Sequence, residues 1–176
     1  MKFIKTSFEG VIIITPEPRE DSRGFFSRVY CQNEFKEQKI MFDIKQINRV
    51  VTLKKGTIRG IHMQAHPYEE DKLISCIQGS VFDVIIDLRK KSKTFRKHYS
   101  IVLNDKNKKI LLMPKGFAHG YQTLENRTII EYPTSQFYNP KNEIGIRWND
   151  PYFKIKWPIK KSQVSEKDAS WSDFVT

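Results

Sequence analysis

Short apolar, β-branched runs alternate with turn signals along this chain, and that rhythm restricts it to a sandwich or barrel of strands. The clearest unit is the pair Lys72 to Ile77 and Val81 to Leu88, which flank Gln78-Gly79-Ser80 and predict a hairpin. His98 to Leu103 and Lys109 to Met113 flank a polar turn, Asn104 to Lys108, and predict another. Val11 to Thr15, Ile44 to Val51 and Arg127 to Tyr132 read as further strands. One short helix is expected over Asn33 to Gln38, with Asn33 as its N-cap. The tail after Trp148, with Pro151, Trp157 and Pro158, is expected to wrap the body or form short helices. The expected fold is all-β, a closed or double-sheet barrel of the kind that holds one ligand inside.

With 176 residues the chain is expected to form one domain over 1–176 and to bury a core without disulfide or metal staples. A hydrophobic fraction of 39% and an aromatic fraction of 12% exclude disorder. No apolar run approaches the ~20 residues of a membrane helix, and Met1 to Thr15 lacks the apolar stretch of a signal peptide. Cys31 and Cys76 make no disulfide framework, so a cytoplasmic location is expected, with Cys76 a buried, inert thiol. The net charge of +11 is densest in Arg89 to Lys97 and Lys106 to Lys109, where loops are expected. No zinc-finger, helix-turn-helix or RNA-binding aromatic pattern accompanies it, so no nucleic-acid partner is expected. A solvated surface comes first, and an anionic small molecule such as a nucleotide sugar is the next use of the charge.

The polar residues point to chemistry. His62 lies in Arg59-Gly60-Ile61-His62-Met63-Gln64, and His119 in the turn-like run Pro114 to Gly120. Tyr132, Tyr138 and Asp168 follow. A base, an acid on another strand and a group that orients the base are what proton transfer at carbon requires. Strand alternation places Gly60, His62 and Gln64 on one face and Arg59 and Ile61 on the other. The first of these faces is too polar for core and suits a cavity. Lys72 opens an apolar strand, where a lysine is costly to bury unless its charge is used. Plainer roles stand beside these: a structural hydrogen bond for His62, a core ring for Tyr132, a helix cap for Asp168, a surface ion pair for Arg23, a turn-shaping role for His119.

Pro114 to His119, Pro-x-Gly-x-x-His, resembles the second motif of cupin jelly rolls. Metal-binding cupins carry His-x-His followed by Glu in the first motif. Here Gln64 takes the second histidine's place, Glu70 stands at about the right distance and His66 is off register, so no metal is expected. Over about Phe8 to Asp168 the chain resembles the dTDP-4-dehydrorhamnose 3,5-epimerase family. The matching runs are Asp21-Ser22-Arg23-Gly24-Phe25-Phe26, Gln46-Ile47-Asn48, Gly56 to Gln64, Lys72-Leu73-Ile74, Asp83 to Arg89 and Pro114 to Gly120. Tyr132 and Tyr138 with Thr134 between them, Glu143, Trp148 to Pro151, Trp157-Pro158 and Ser165 to Asp168 complete the match.

The resemblance implies a double-stranded β-helix (a cupin-like jelly roll) with short helices and a wrapping C-terminal tail, assembled as a homodimer. It implies cofactor-independent epimerisation at C3, C5 or both of a nucleotide-linked 4-keto-6-deoxy sugar. His62 would be the base and Tyr132 the acid, with Asp168 holding His62 and Lys72 stabilising the enolate oxygen. Arg23 and Arg59 would meet the diphosphate, with Gln46, Asn48 and Lys167 nearby. Phe26 and Tyr138 would pack on sugar or base, Glu143 would contact nucleotide or sugar, and His119 would line the pocket. The sequence also departs from the family pattern. Arg28 replaces a usual Glu that reads the base, Arg49-Val50-Val51 replaces a His-Ser or Ser-rich run, and Met63 replaces an aromatic. These changes suit another nucleotide (CDP or GDP) or inversion at one carbon, and a non-catalytic binding module is the alternative from another class.

Overall fold

The computed structural model describes residues 1–175. In chain order its strands are β1 (Lys2–Lys5), β2 (Ile12–Thr15), β3 (Arg19–Asp21), β4 (Gly24–Phe26), β5 (Gln46–Thr52), β6 (Thr57–Gln64) and β7 (Lys72–Gln78), then β8 (Ser80–Asp87), β9 (His98–Asn104), β10 (Ile110–Met113), β11 (Phe117–Thr123), β12 (Thr128–Thr134), β13 (Glu143–Gly145) and β14 (Gln163–Val164). Two short helices, α1 (Gln32–Glu37) and α2 (Glu166–Ala169), interrupt them. One sheet has the order β1-β2-β10-β7-β12-β5. The other has the order β13-β6-β11-β8-β9, with β14 alongside β6. β3 and β4 form a separate hairpin. Two facing sheets in this order are the double-stranded β-helix.

Alternation along the strands builds the core. Ile74, Cys76, Leu111 and Ile130 of the first sheet meet Val81, Ile85 and Phe117 of the second. Full burial of one such side chain is worth about 1.5–3 kcal/mol. The outer face of the first sheet is covered by α1, whose Phe35 packs with Phe42 on Ile14, Leu73 and Ile110. The outer face of the second sheet is covered by the C-terminal tail, with Ile146, Phe153, Trp157 and Phe174 over Ile61, Ile86 and Ala118. The expected wrapping tail is therefore present, and it adds β14 and α2 next to β6.

Four local expectations need correction. The helix starts at Gln32, capped by the extended residue Cys31 rather than by Asn33. Starting there carries Phe35 into the apolar cluster. The run around His119 is not a turn: β11 begins at Phe117, and His119 is buried in mid-strand. β1, β3, β4, β13 and β14 fall in segments too short or too polar to show an alternation. The fourth correction concerns β6. His62 is the partner of His119 and Arg59 the partner of Tyr121, so three steps on β6 match two on β11. That extra residue is a bulge at Gly60, whose φ is +95°. A Cβ there would overlap the His119 carbonyl, so only glycine fits. Arg59 is therefore turned to the same cavity as His62, while Ile61 enters the outer core.

Candidate active site

Where β5, β6, β7 and β12 meet, the space between the sheets becomes polar and open. An outer chamber of about 400 Å³ is lined by Gln46, Asn48, His62, Gln64, Glu70, Lys72, Tyr132, Tyr138 and Glu143, among others. An inner chamber of about 240 Å³ shares His62, Lys72 and Tyr132 and adds Arg59, His119, Tyr121, Lys167 and Asp168. Of the residues expected at the site, Arg23 and Phe26 are the two that line neither chamber. They sit on the β3–β4 hairpin, where Arg23 pairs with Asp21 at 2.6 Å and Phe26 is 66% exposed. Arg28 pairs with Glu34 of α1 at 2.9 Å.

His62 comes from β6, Lys72 from β7 and Tyr132 from β12, so both sheets contribute. Burial, followed by the charge of Lys72, pushes the His62 imidazole down to about 4, against opposing pulls from Asp168 and Glu143. Near neutral pH the ring is therefore an unprotonated acceptor. The Glu143 carboxylate is 3.9 Å from His62 Nδ1. Asp168 lies in the inner chamber, its Oδ2 accepting the Gly60 N–H at 3.1 Å. Ser165 caps α2 by accepting the Asp168 N–H at 3.1 Å, which fixes the turn that delivers Asp168 and Lys167.

Lys72 is 5% exposed, and its Nζ is 3.1 Å from Glu70 Oε1. The same Nζ stands 5.8 Å from the centre of the Tyr132 ring. Burial, and next the negative charge of Glu70, raises the Tyr132 phenol above its ordinary value, so it holds its proton. At the rim, Tyr138 donates to Glu143 at 2.8 Å and Lys167 pairs with the same carboxylate. Burial works against ionised Glu143, but the hydrogen bonds from Lys167 and Tyr138 hold its carboxyl below the usual range. On the floor, His119 Nε2 is 2.8 Å from Asp83, and burial pushes Tyr121 up to about 12.

Sequence reasoning missed Tyr121 and the pairing of Glu70 with Lys72. Tyr121 had a usable signal, since it stands two residues after His119 on the same strand face. Gln64 ties the segment after β12 to β6. Its amide donates to Tyr68 O and Phe137 O at 3.0 and 3.2 Å and accepts the Asn139 N–H at 2.6 Å. The site can take up a proton at His62, give one from Tyr132 and stabilise an anion at Lys72, within a cavity where Arg59, Lys72 and Lys167 face Glu70, Glu143 and Asp168.

A profile described as dTDP-4-dehydrorhamnose 3,5-epimerase matches residues 5–175. A dTDP-4-dehydrorhamnose 3,5-epimerase of Shigella flexneri is 39% identical, with 99% of this chain and 97% of that protein covered. The solved structure of the Bacillus anthracis dTDP-4-dehydrorhamnose 3,5-epimerase, with TDP and pyrophosphate bound, superposes with a TM-score of 0.96 at 36% identity, covering 98% of this chain and 99% of that one. A Legionella pneumophila dTDP-6-deoxy-D-glucose-3,5-epimerase, in complex with dTDP-4-keto-L-rhamnose, superposes with a TM-score of 0.92 at 34% identity, covering 98% and 92%.

Proposed function

The chain belongs to the dTDP-4-dehydrorhamnose 3,5-epimerase family, and on that premise we propose that its two chambers bind a dTDP-linked 4-keto-6-deoxy sugar and invert it at C3 and C5. The enzyme is an isomerase. The C4 ketone acidifies the protons on both flanking carbons, so the reaction needs a base, an acid on the other face of the ring and a cation at the oxygen. His62 is the base, Tyr132 the acid and Lys72 the cation. The observation that carries this reading is the convergence of a depressed imidazole, a protonated phenol and a buried ammonium on one cavity.

The charges make the proton transfer self-assisting. Lys72 depresses His62 before reaction. When the enolate forms beside Lys72, its negative charge offsets that ammonium, and the His62 imidazolium becomes cheaper. Asp168 acts in the same direction and steadies the imidazolium. Arg59, Gln46, Asn48 and Lys167 hold the diphosphate, while Tyr138 and Glu143 border the sugar and nucleotide and His119 lines the floor. The electron sink is the substrate's own ketone.

We propose further that the enzyme works as a homodimer in the cytoplasm. Away from α1, the β5 edge of the first sheet leaves Ile47, Val51 and Leu53 exposed, together with Phe25, Phe26 and Val29 in and just after the β3–β4 hairpin. A monomer gains nothing from so much bare apolar surface. Arg23 and Phe26, which miss their own pocket, would serve the partner's. Free Cys31 and Cys76 fit a reducing compartment. No helix of the described residues is long and apolar enough to cross a membrane.

The test of the reaction is NMR of the product formed from dTDP-4-keto-6-deoxyglucose. Inversion at C3 and C5 is expected, and a substrate left unchanged by folded, TDP-binding enzyme would overturn the reading. Sedimentation of wild type and Phe26→Ser tests the dimer, with a dimer expected for the first and dissociation for the second.

A further inference from the structure

We infer that Glu70 is a positioning residue for catalysis: it holds the Lys72 ammonium in the pocket, aimed at the oxygen that becomes an enolate. The inference rests on the epimerase reading above. Two observations carry it. Lys72 and Glu70 side chains are only 6% and 9% exposed, yet both border the outer chamber, and Lys72 Nζ is 3.1 Å from Glu70 Oε1. A lysine buried this deeply needs a partner charge, because desolvation of an isolated ammonium costs several kcal/mol. The pairing is also local: Glu70 lies just before β7 and Lys72 is its first residue. The loop from Gln64 to Asp71 is itself tied down, by Gln64 to Tyr68 and by Asp71 to Ser135 and the Lys115 N–H. Glu70 is therefore presented on a fixed backbone.

The ion pair engages one carboxylate oxygen at 3.1 Å and leaves ammonium hydrogens for the pocket. The pair divides the labour of the site. Glu70 screens Lys72 in the resting enzyme and pulls away from none of the reacting atoms. When charge develops on the substrate oxygen, a donor is already oriented there and no reorganisation is needed. Other titratable or charged groups face the same cavity: His62 and Arg59 from β6, Glu143 from β13, His119 from β11, and Lys167 and Asp168 from α2. Of the carboxylates at this cavity, Glu70 is the one within ion-pairing distance of Lys72.

A double-mutant cycle tests this, reading kcat, KM, TDP affinity and melting temperature for Glu70→Gln, Lys72→Met and the double variant. Glu70→Gln is expected to lower kcat by roughly ten- to a hundredfold, less than Lys72→Met, with KM and TDP affinity nearly unchanged. In the Lys72→Met background, Glu70→Gln is expected to cost no further rate. Glu70→Asp, which keeps the charge, is expected to recover much of the loss. Wild-type kcat in Glu70→Gln, or losses that multiply in the double variant, would overturn the assignment. So would a loss carried by a fall in melting temperature or TDP binding that Glu70→Asp fails to repair. Wild-type enzyme run alongside separates the two claims: if it leaves the keto sugar unchanged, the epimerase reading fails, whereas active wild type with an active Glu70→Gln sinks only this one.

Discussion

His62 and His119 are direct partners across the β6–β11 ladder, but only His119 has a carboxylate in hydrogen-bonding contact, Asp83 at 2.8 Å. His62 faces the cavity with Glu143 at 3.9 Å and the Lys72 charge nearby. The pairing separates a held imidazole from a free one. His119 is anchored into the second sheet, and His62 keeps its acceptor capacity for substrate.

The pH response of His62 follows from its surroundings. Burial and Lys72 hold it at about 4, so the acid limb of kcat/KM should fall near that value and not near 6.5. Lys72→Met removes a lowering charge and should raise the His62 titration, whereas Asp168→Asn removes a raising one and should lower it. NMR titration of the ring reads both even where activity is lost. The stability sign is also fixed. Folded His62 stays neutral between pH 6.5 and about 4 while the unfolded chain takes up a proton. Its contribution is complete above pH 6.5 and is lost as pH falls towards 4. His62→Gln should flatten that slope in urea unfolding curves.

Gly60→Ala should destabilise the fold by about 3 kcal/mol or more, since the new Cβ meets the His119 carbonyl and Gly120 Cα at a positive φ. Because the bulge also turns Arg59 and His62 to one cavity, activity should fall further than stability explains. Thermal melts and kcat/KM under conditions where the variant is folded check this.

Ser165→Ala removes the cap of α2 and should cost about 1 kcal/mol locally. The global melting temperature should move little, because the tail is also held by Arg147–Asp173 and by Phe174 on Asp150. kcat should drop through misplacement of Asp168 and Lys167. Loss of overall stability without loss of kcat would contradict the role given to α2.

Arg59→Lys keeps a charge but loses the planar fork that suits a diphosphate. The Nε contact to Thr52 at 3.1 Å, which orients the fork, goes with it. TDP affinity measured by calorimetry should fall by about tenfold, or 1.4 kcal/mol.

The sheets were legible in the sequence because short apolar runs are bounded by turn signals, and β7 and β8 around Gly79 were the plainest case. β13 and β14 were not, since Glu143–Gly145 and Gln163–Val164 take their form from pairing with β6 and have no pattern of their own. The site was legible as residue types. Its arrangement was not: the bulge at Gly60 overrides the alternation that separated Arg59 from His62, and no spacing rule announces it. Glu70 was visible only as standing at about the distance of the glutamate in the metal-binding cupin motif. Its partner is Lys72, which burial makes plain and sequence does not.

If His62 removes the proton and Tyr132 returns it, deuterium uptake separates the two roles. In heavy water, wild-type enzyme with dTDP-4-keto-6-deoxyglucose should label C5 and C3 as both invert. His62→Ala should abolish labelling, while Tyr132→Phe should keep exchange at its substrate configuration and lose inversion. Labelling at the wild-type rate in His62→Ala, or full inversion in Tyr132→Phe, would contradict the account.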